Sequence, residues 1–237
     1  MPVTELAFLP SRTPGEVSAP LLSEGTAALE AQDRWCEENF TAGGEGGRAG
    51  GKPRWRRESR GAALFRPRGG DRGVVLVTAH WDSPEQHHAW IASDANQEGM
   101  GRLLPLVRAE DVVFFHVGGV EMFPDVDGEG KATLGAPVVS VTRVRVRDAD
   151  KQAFEEGFER DRGGKFDGLA APYRHRGGWR IEREGEGEEE FVLVGGWESG
   201  EKAEAWAEGD GETFGACFEA LRPLVVEVDV QTYERIL

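Results

Sequence analysis

Two stretches of this chain, WDSPEQHHAW at 81–90 and WESGEKAEAW at 197–206, each carry two Trp residues nine apart, and the two pairs are offset by the same 116 residues. Each pair follows an apolar run, GVVLVTAH before Trp81 and FVLVGG before Trp197. In each, the first Trp is followed by an acidic residue and then Ser. A shared offset with matching chemistry marks an internal duplication. Duplication constrains the fold strongly, because the unit must occur twice and each copy can cover a face of the other.

The segments around each Trp pair follow one order. In the first half, VTELAFL (3–9) reads as a strand. A helical pattern runs from Ser18 to about Asn39, with Leu22, Leu29, Gln32 and Cys36 at three- and four-residue spacing. TAGGEGGRAGGKPRWRRESRG (41–61) is a Gly- and Arg-rich loop. AALFRP and GVVLVTAHW are two strands. Ser83, with Pro84 and Gln86 behind it, has a capping-box arrangement and opens a helix to about Leu106, with a break expected near Gly99–Gly101. DVVFFHV is the fourth strand. The second half repeats this with PVVSVTRVRV, the helix of DADKQAFEEGFER, the hairpin GGWRIERE/EEFVLVGGW, a helix opened by Ser199, and LVVEVDV. Each half therefore reads β-α-β-β-α-β, the ferredoxin-like order. The expected organisation is a first repeat over 1–123, a turn-rich linker over 124–137, and a second repeat over 138–237. The fold class is α+β, with each sheet needing cover on the face its helices leave open.

Charge and cysteine content narrow the function classes. The net charge of −15 argues against nucleic acid and anionic membrane as partners. Against that balance, 42–72 holds nine Arg/Lys to three Asp/Glu, and EREGEGEEE at 182–190 is strongly acidic. Both read first as solvated hairpins, and alternatively as arms that pair or that recruit an anionic ligand. Two Cys in different halves form neither a disulfide framework nor a zinc site, which fits a reducing, cytoplasmic setting. The N-terminus lacks a signal-peptide pattern, and no window reaches the ~20 apolar residues of a membrane span.

This order, with an aromatic-x-Ser-helix signature after the third strand, resembles the dimeric α+β barrel superfamily, in its antibiotic-biosynthesis-monooxygenase-like branch, as a tandem fusion. The resemblance implies an intramolecular barrel, a monomeric pseudo-dimer with at most weak further association to a homodimer, and an apolar ligand held between sheet and helices. Three branches can be compared. In the haem-degrading one, Trp90 and Trp206 match a family Trp, but the axial His falls on Met100 and Ala216, and the first-strand Asn has no counterpart. In the polyketide-cyclase branch, Tyr falls on Trp90 and the catalytic His on Asn96 and Glu212. The third branch oxygenates phenolic or anthrone-like substrates without a cofactor.

The repeat also sorts the histidines. His87 corresponds to Ala203, and His88 to Glu204. His87 lies three residues before Trp90 on one helix face, so it is expected to point inward and His88 toward water. An inward imidazole is a candidate acid/base, while the structural alternative is a His satisfied by a backbone carbonyl. His116 shares a strand face with Val112 and Phe114, opposite Val113, Phe115 and Val117. YRHRGGW at 173–179 reads as a solvated loop or as a pocket rim carrying Tyr173.

The candidate catalytic residues are therefore His87 and Glu212, and the candidate substrate-binding residues are Trp90, Asn96, Trp206, Tyr173 and His116. No metal ligands and no cofactor are expected. His87 and His88 point to different faces, no Cys/His spacing fits zinc, and GGEGGRAGG opens no phosphate-binding helix. The expected function is binding and conversion of a hydrophobic, aromatic or polyketide-like small molecule by cyclisation, rearrangement or oxygenation. The first half, with its extra loop able to fold over a cleft, is expected to hold the working site. The competing reading is a non-catalytic ligand-binding or interaction protein of the same fold.

Overall fold

The computed structural model describes residues 1–40, 62–69, 73–120, 122, 131–183, 185–208 and 217–237. The loop expected at 41–61, the first part of the linker, Glu212 and Ala216 lie outside the described residues. The first half supplies β1 (Val3–Pro10), α1 (Ala19–Phe40), β2 (Ala63–Arg68), β3 (Val74–Trp81), α2 (Pro84–Ile91), α3 (Asp94–Leu103) and β4 (Val113–Gly118). The second supplies β5 (Val138–Arg147), α4 (Lys151–Asp161), a π-helical stretch Arg162–Phe166, α5 (Asp167–Ala170), β6 (His175–Trp179), β7 (Glu188–Trp197), α6 (Gly200–Ala207) and β8 (Val225–Arg235).

Local chemistry sets the helix ends. Ser18 Oγ accepts the Leu21 amide at 3.3 Å to open α1. Ser83 Oγ accepts the Gln86 amide at 3.4 Å, and the Gln86 side chain accepts the Asp82 amide at 2.8 Å. The break after α2 falls at Ala92–Ser93 rather than at the glycines. Ser93 Oγ donates to the Trp90 carbonyl at 2.7 Å and accepts the Asn96 amide at 3.2 Å, ending one helix and capping the next. Gly99 is instead buried on α3, in a helix that packs against α1.

All paired strands are antiparallel, in the order β4-β1-β3-β2-β8-β5-β7-β6. The first half thus contributes β4-β1-β3-β2 and the second β8-β5-β7-β6, joined by β2 against β8. The two outer edges also meet. Val117 bridges Arg180, and the Ile181 amide donates to the His116 carbonyl at 2.8 Å. The sheet closes on itself there, giving edge groups partners that an open sheet would leave free. Glycine makes the approach possible: a Cβ on Gly178 would lie 2.8 Å from the Gly118 carbonyl oxygen.

Three apolar clusters follow from strand alternation. Leu6, Phe8, Phe65, Phe115, Val117, Val139, Val141, Val194 and Tyr233 fill the space enclosed by the sheet. Leu134 and Ala136, from the described end of the expected linker, pack into the same cluster. Outside the sheet, Trp81 and Trp90 pack with α1–α3 on the first half, and Trp197 and Trp206 with α4 and α6 on the second. YRHRGGW is not a solvated loop. Its His175 begins strand β6 and is fully buried. The acidic run ending in β7 is balanced in part by cations, with Glu190 bound to Arg143 at 2.7 Å and Glu189 to Lys151 at 2.9 Å.

Because the seam tolerates no side chain at position 178, Gly178→Val should lower stability by about 1–3 kcal/mol, the usual cost of overpacking. Gly185, with open space around its Cβ position, is the control. Urea midpoints read the comparison; an unchanged midpoint for Gly178→Val would mean the seam is open in solution.

Candidate active site

Between the first-half sheet and helices α1–α3 lies a cavity of about 360 Å³. Its walls are mainly apolar: Ala7 and Leu9 of β1, Val77 of β3, Phe114 of β4, Leu29 of α1, Trp90 of α2, and Met100 and Leu103 of α3. The polar groups reaching it are Glu5, Gln32, His87, Asn96 and Gln97. A largely apolar cavity with a few convergent polar groups is the usual form of a small-molecule site.

Glu5 is only 7% exposed, in a strand whose eight residues are all buried. Alternation puts it on the helix side with Ala7 and Leu9, and the register puts it opposite His116 of β4. One carboxyl oxygen, Oε2, accepts the Trp81 indole N–H at 2.8 Å and lies 3.2 Å from His87 Nε2. His87 Nδ1 is 2.8 Å from His116 Nε2, and His116 Nδ1 is 2.6 Å from Glu182 Oε1. The Glu182 Oε2 also accepts the His116 backbone N–H at 2.8 Å. The His87 ring stacks on Trp81, with centroids 4.8 Å apart and planes 16° from parallel. Four side chains from β1, α2, β4 and the segment after β6 thus form one unbroken polar line.

Burial pushes the His87 pKa down to about 3, assisted by the neighbouring His116 and His88 and opposed by Glu182. This imidazole is therefore neutral near pH 7. Glu182 is half-buried. Burial acts to raise its pKa, but hydrogen bonds from the His116 backbone and ring outweigh it and hold the carboxyl below its usual range. His88, on the same helix, is exposed as its spacing predicts.

The second half uses the same places differently. The pairs Val3↔Trp81 and Val138↔Trp197 occupy matching positions in the sheet. By that register Ser140 stands where Glu5 does, and Thr232 opposite Ser140 stands where His116 does. With Ala203 in the place of His87, all three titratable groups are replaced. Ser140 Oγ still accepts the Trp197 indole N–H at 2.8 Å, and Trp206 Nε1 donates to Thr142 Oγ1 at 3.2 Å. The space between sheet and helices is packed with rings: Phe158 lies 5.2 Å from Phe166 and 4.8 Å from Phe191, and Phe166 lies 5.4 Å from Phe218, centroid to centroid. His175 belongs to this core. Its Nδ1–H donates to the Phe166 carbonyl at 2.8 Å, and burial pushes its pKa down to about 4.

Of the residues singled out from sequence, His87, Trp90 and Asn96 meet at one cavity, and His116 lies directly behind His87. Trp206 lies in the second-half core, 4.9 Å from the His175 ring. Tyr173 packs against the cluster inside the sheet, with the Lys131 ammonium 5.4 Å from its ring. Glu212 is outside the described residues. Sequence reasoning missed Glu5 and Glu182. The first had a signal, an acidic residue on the buried face of an apolar strand. The second had none, because it sits in a charge run that reads as solvated.

No protein-family profile matches the chain, and no curated protein matches it in sequence. Solved structures do match in fold. A candidate monooxygenase from Fusobacterium nucleatum aligns over 100% of this chain and 93% of its own, at 7% identity and a TM-score of 0.55. An anthrone oxidase-like protein aligns over 100% and 92%, at 16% identity and 0.51. A candidate monooxygenase from Lactobacillus acidophilus aligns over 99% and 93%, at 12% identity and 0.50. At these identities the likeness is one of fold, a mixed α+β architecture with an eight-stranded antiparallel sheet. No helix among the described residues is long and apolar enough to cross a membrane. Met100 lies in the cavity wall, and both ring nitrogens of His87 face other partners.

The depressed histidines set a pH dependence. A His whose folded pKa lies below its unfolded value binds its proton first in the unfolded chain, so stability falls as pH drops below about 6.5. His87 and His175 should each contribute a slope approaching about 1.4 kcal/mol per pH unit between pH 6 and 5. Glu182, with its lowered pKa, adds its loss only below about 4.5. Urea unfolding across pH 7.5–5 checks this, with His175→Leu expected to remove about half the slope; a flat profile would show both rings protonated in the fold.

Proposed function

We propose that the first-half cavity takes a hydrophobic, aromatic or polyketide-like small molecule bearing one acidic C–H or O–H, and that Glu5, with His87 behind it, removes that proton. The observation that carries this reading is an apolar cavity floored by a carboxyl and an imidazole in one half, against a ring-filled space with Ser140, Ala203 and Thr232 in the other. Groups that the scaffold does without in one half have a task other than folding in the other. Removing the proton leaves a delocalised anion that cyclises, rearranges or reacts with dioxygen, and the reading includes no metal or nucleotide cofactor. Trp90 and Asn96 bound the cavity beside His87 and hold the ring system in place. The monooxygenase-like and anthrone oxidase-like fold neighbours support small-molecule conversion as the class of activity.

The same proposal treats the chain as two fused copies, 1–123 and 138–237, joined by 124–137. Support comes from the matching strand sequences β4-β1-β3-β2 and β8-β5-β7-β6 and from the matched Trp registers. Each copy then supplies the sheet face that the other needs. Sedimentation should accordingly give a species near the single-chain mass of 25.9 kDa. An obligate dimer that separates only on unfolding would argue against it.

An anthrone tests the chemistry. With 1,8-dihydroxyanthrone in air the balance is anthrone plus dioxygen giving anthraquinone plus water, with no outside reductant. Glu5→Gln and His87→Ala should each lose about 10²–10⁴ in rate, the usual contribution of a general base. His88→Ala should stay near wild type. Turnover undiminished in Glu5→Gln would remove Glu5 from the role. Saturable binding without turnover would replace the reading with that of a non-catalytic ligand-binding protein.

A further inference from the structure

We propose that His116 and Glu182 form a proton store behind the cavity: a proton taken up by Glu5 passes through His87 and is held as an imidazolium on His116 paired with the Glu182 carboxylate. This rests on the reading of the cavity as a reaction site and adds to it that the second half of the chain completes the first half's site. Glu182 follows β6 and reaches His116 across the seam, where the Ile181 amide donates to the His116 carbonyl at 2.8 Å.

In this proposal the ring hydrogens are assigned from the contact distances, 2.8 Å between His87 Nδ1 and His116 Nε2 against 3.2 Å between His87 Nε2 and Glu5 Oε2. Glu182 accepts from His116 through both its oxygens, at 2.6 Å from Nδ1 and 2.8 Å from the backbone nitrogen, so His116 Nδ1 carries a hydrogen. Before uptake, His116 Nε2 is bare and accepts the hydrogen on His87 Nδ1. His87 Nε2 is then also bare, facing Glu5 Oε2 at 3.2 Å, lone pair to lone pair. A proton arriving on Glu5 converts that opposition into a hydrogen bond. The transfer balances. The substrate's C–H or O–H bond breaks and a Glu5 O–H bond forms. That O–H then breaks as His87 Nε2–H forms, while His87 Nδ1–H breaks and His116 Nε2–H forms. Glu5 is again a carboxylate, His87 is again neutral in its other tautomer, and the positive charge rests on His116. Reversing the same steps returns the proton to the anionic intermediate or product, so no ring has to turn. His87 conducts without becoming charged, which fits its depressed pKa.

Side chains from several elements face this line. Trp81 of β3 donates to Glu5, and His88 of α2 holds its ring 6.1 Å from that of His116. Phe114 packs edge-on to His87. At the far end Glu182 borders a polar cavity of about 270 Å³ with Arg145, Arg180, Arg183 and acidic residues of 186–190. The line thus runs from an apolar cavity to a polar one, and its outer carboxylate is the charge that makes an imidazolium on the fully buried His116 acceptable.

The test needs no substrate. Side-chain ¹⁵N NMR of the histidines in the ligand-free full chain, titrated downward from pH 8, reads which ring nitrogens carry hydrogen. In the wild type, uptake of one proton should leave both His116 nitrogens protonated and switch His87 from Nδ1–H to Nε2–H. In Glu182→Gln, which keeps shape and loses charge, the switch should be lost and His87 should stay Nδ1–H, while Glu182→Asp should restore it. His87 keeping one tautomer throughout in the wild type, or switching equally in Glu182→Gln, would overturn the store. Because the anthrone assay is separate, a working switch without turnover would fault only the proposed reaction, and turnover without a switch only the store.

Discussion

A closed sheet of eight strands presents apolar side chains on both surfaces, and both have to be removed from water. Everything else in this protein is arranged around that constraint. The inner surface is covered by the sheet's own curvature, with Phe8, Phe115 and Tyr233 drawn from both halves into one cluster. The outer surface is covered twice, by α1–α3 on one side and α4 and α6 on the other. Closure works only where backbones come close, which is why a glycine stands at Gly178 beside Gly118.

The two outer layers answer the same demand in different ways. On the second half the layer is packed with rings, and its two indoles donate to neutral hydroxyls, Trp197 to Ser140 and Trp206 to Thr142. On the first half the corresponding indole meets a carboxyl, Trp81 to Glu5. A buried carboxyl is costly unless hydrogen-bonded, and a half-satisfied polar network is worse than an apolar core. Since Ser140 anchors the equivalent Trp at less cost, the need to hold Trp81 does not account for Glu5. The accompanying imidazoles, and the cavity left beside them, are what separate the two layers.

The seam connects these themes. The same edge-to-edge contact that closes the sheet brings Ile181 and Glu182 onto β4, so the first half's polar line ends on a residue from the second. Closure of the sheet and completion of the polar line are one structural event, and the acidic segment that looks like plain solubilising charge has one member, Glu182, bound to His116.

Periodicity and capping patterns determined much of this from sequence alone. The β-α-β-β-α-β order, the caps at Ser83 and Ser199, the inward His87 and the outward His88 all follow from rules acting over three to nine residues. These are the ranges over which a helix or strand fixes direction. Which face of β4 lines the cavity was not accessible that way, because alternation gives two faces and names neither. The partnership of Glu5 with Trp81 and His87, and of His116 with Glu182 66 residues away, was decided by tertiary structure. So was the filling of the second half, where His175 lies in a strand that a composition of Arg and Gly made look like loop. The physical reason is the same in each case. Backbone direction is set locally, whereas the partners of a buried polar group are set by register and by closure of the sheet, which join residues that no local pattern relates.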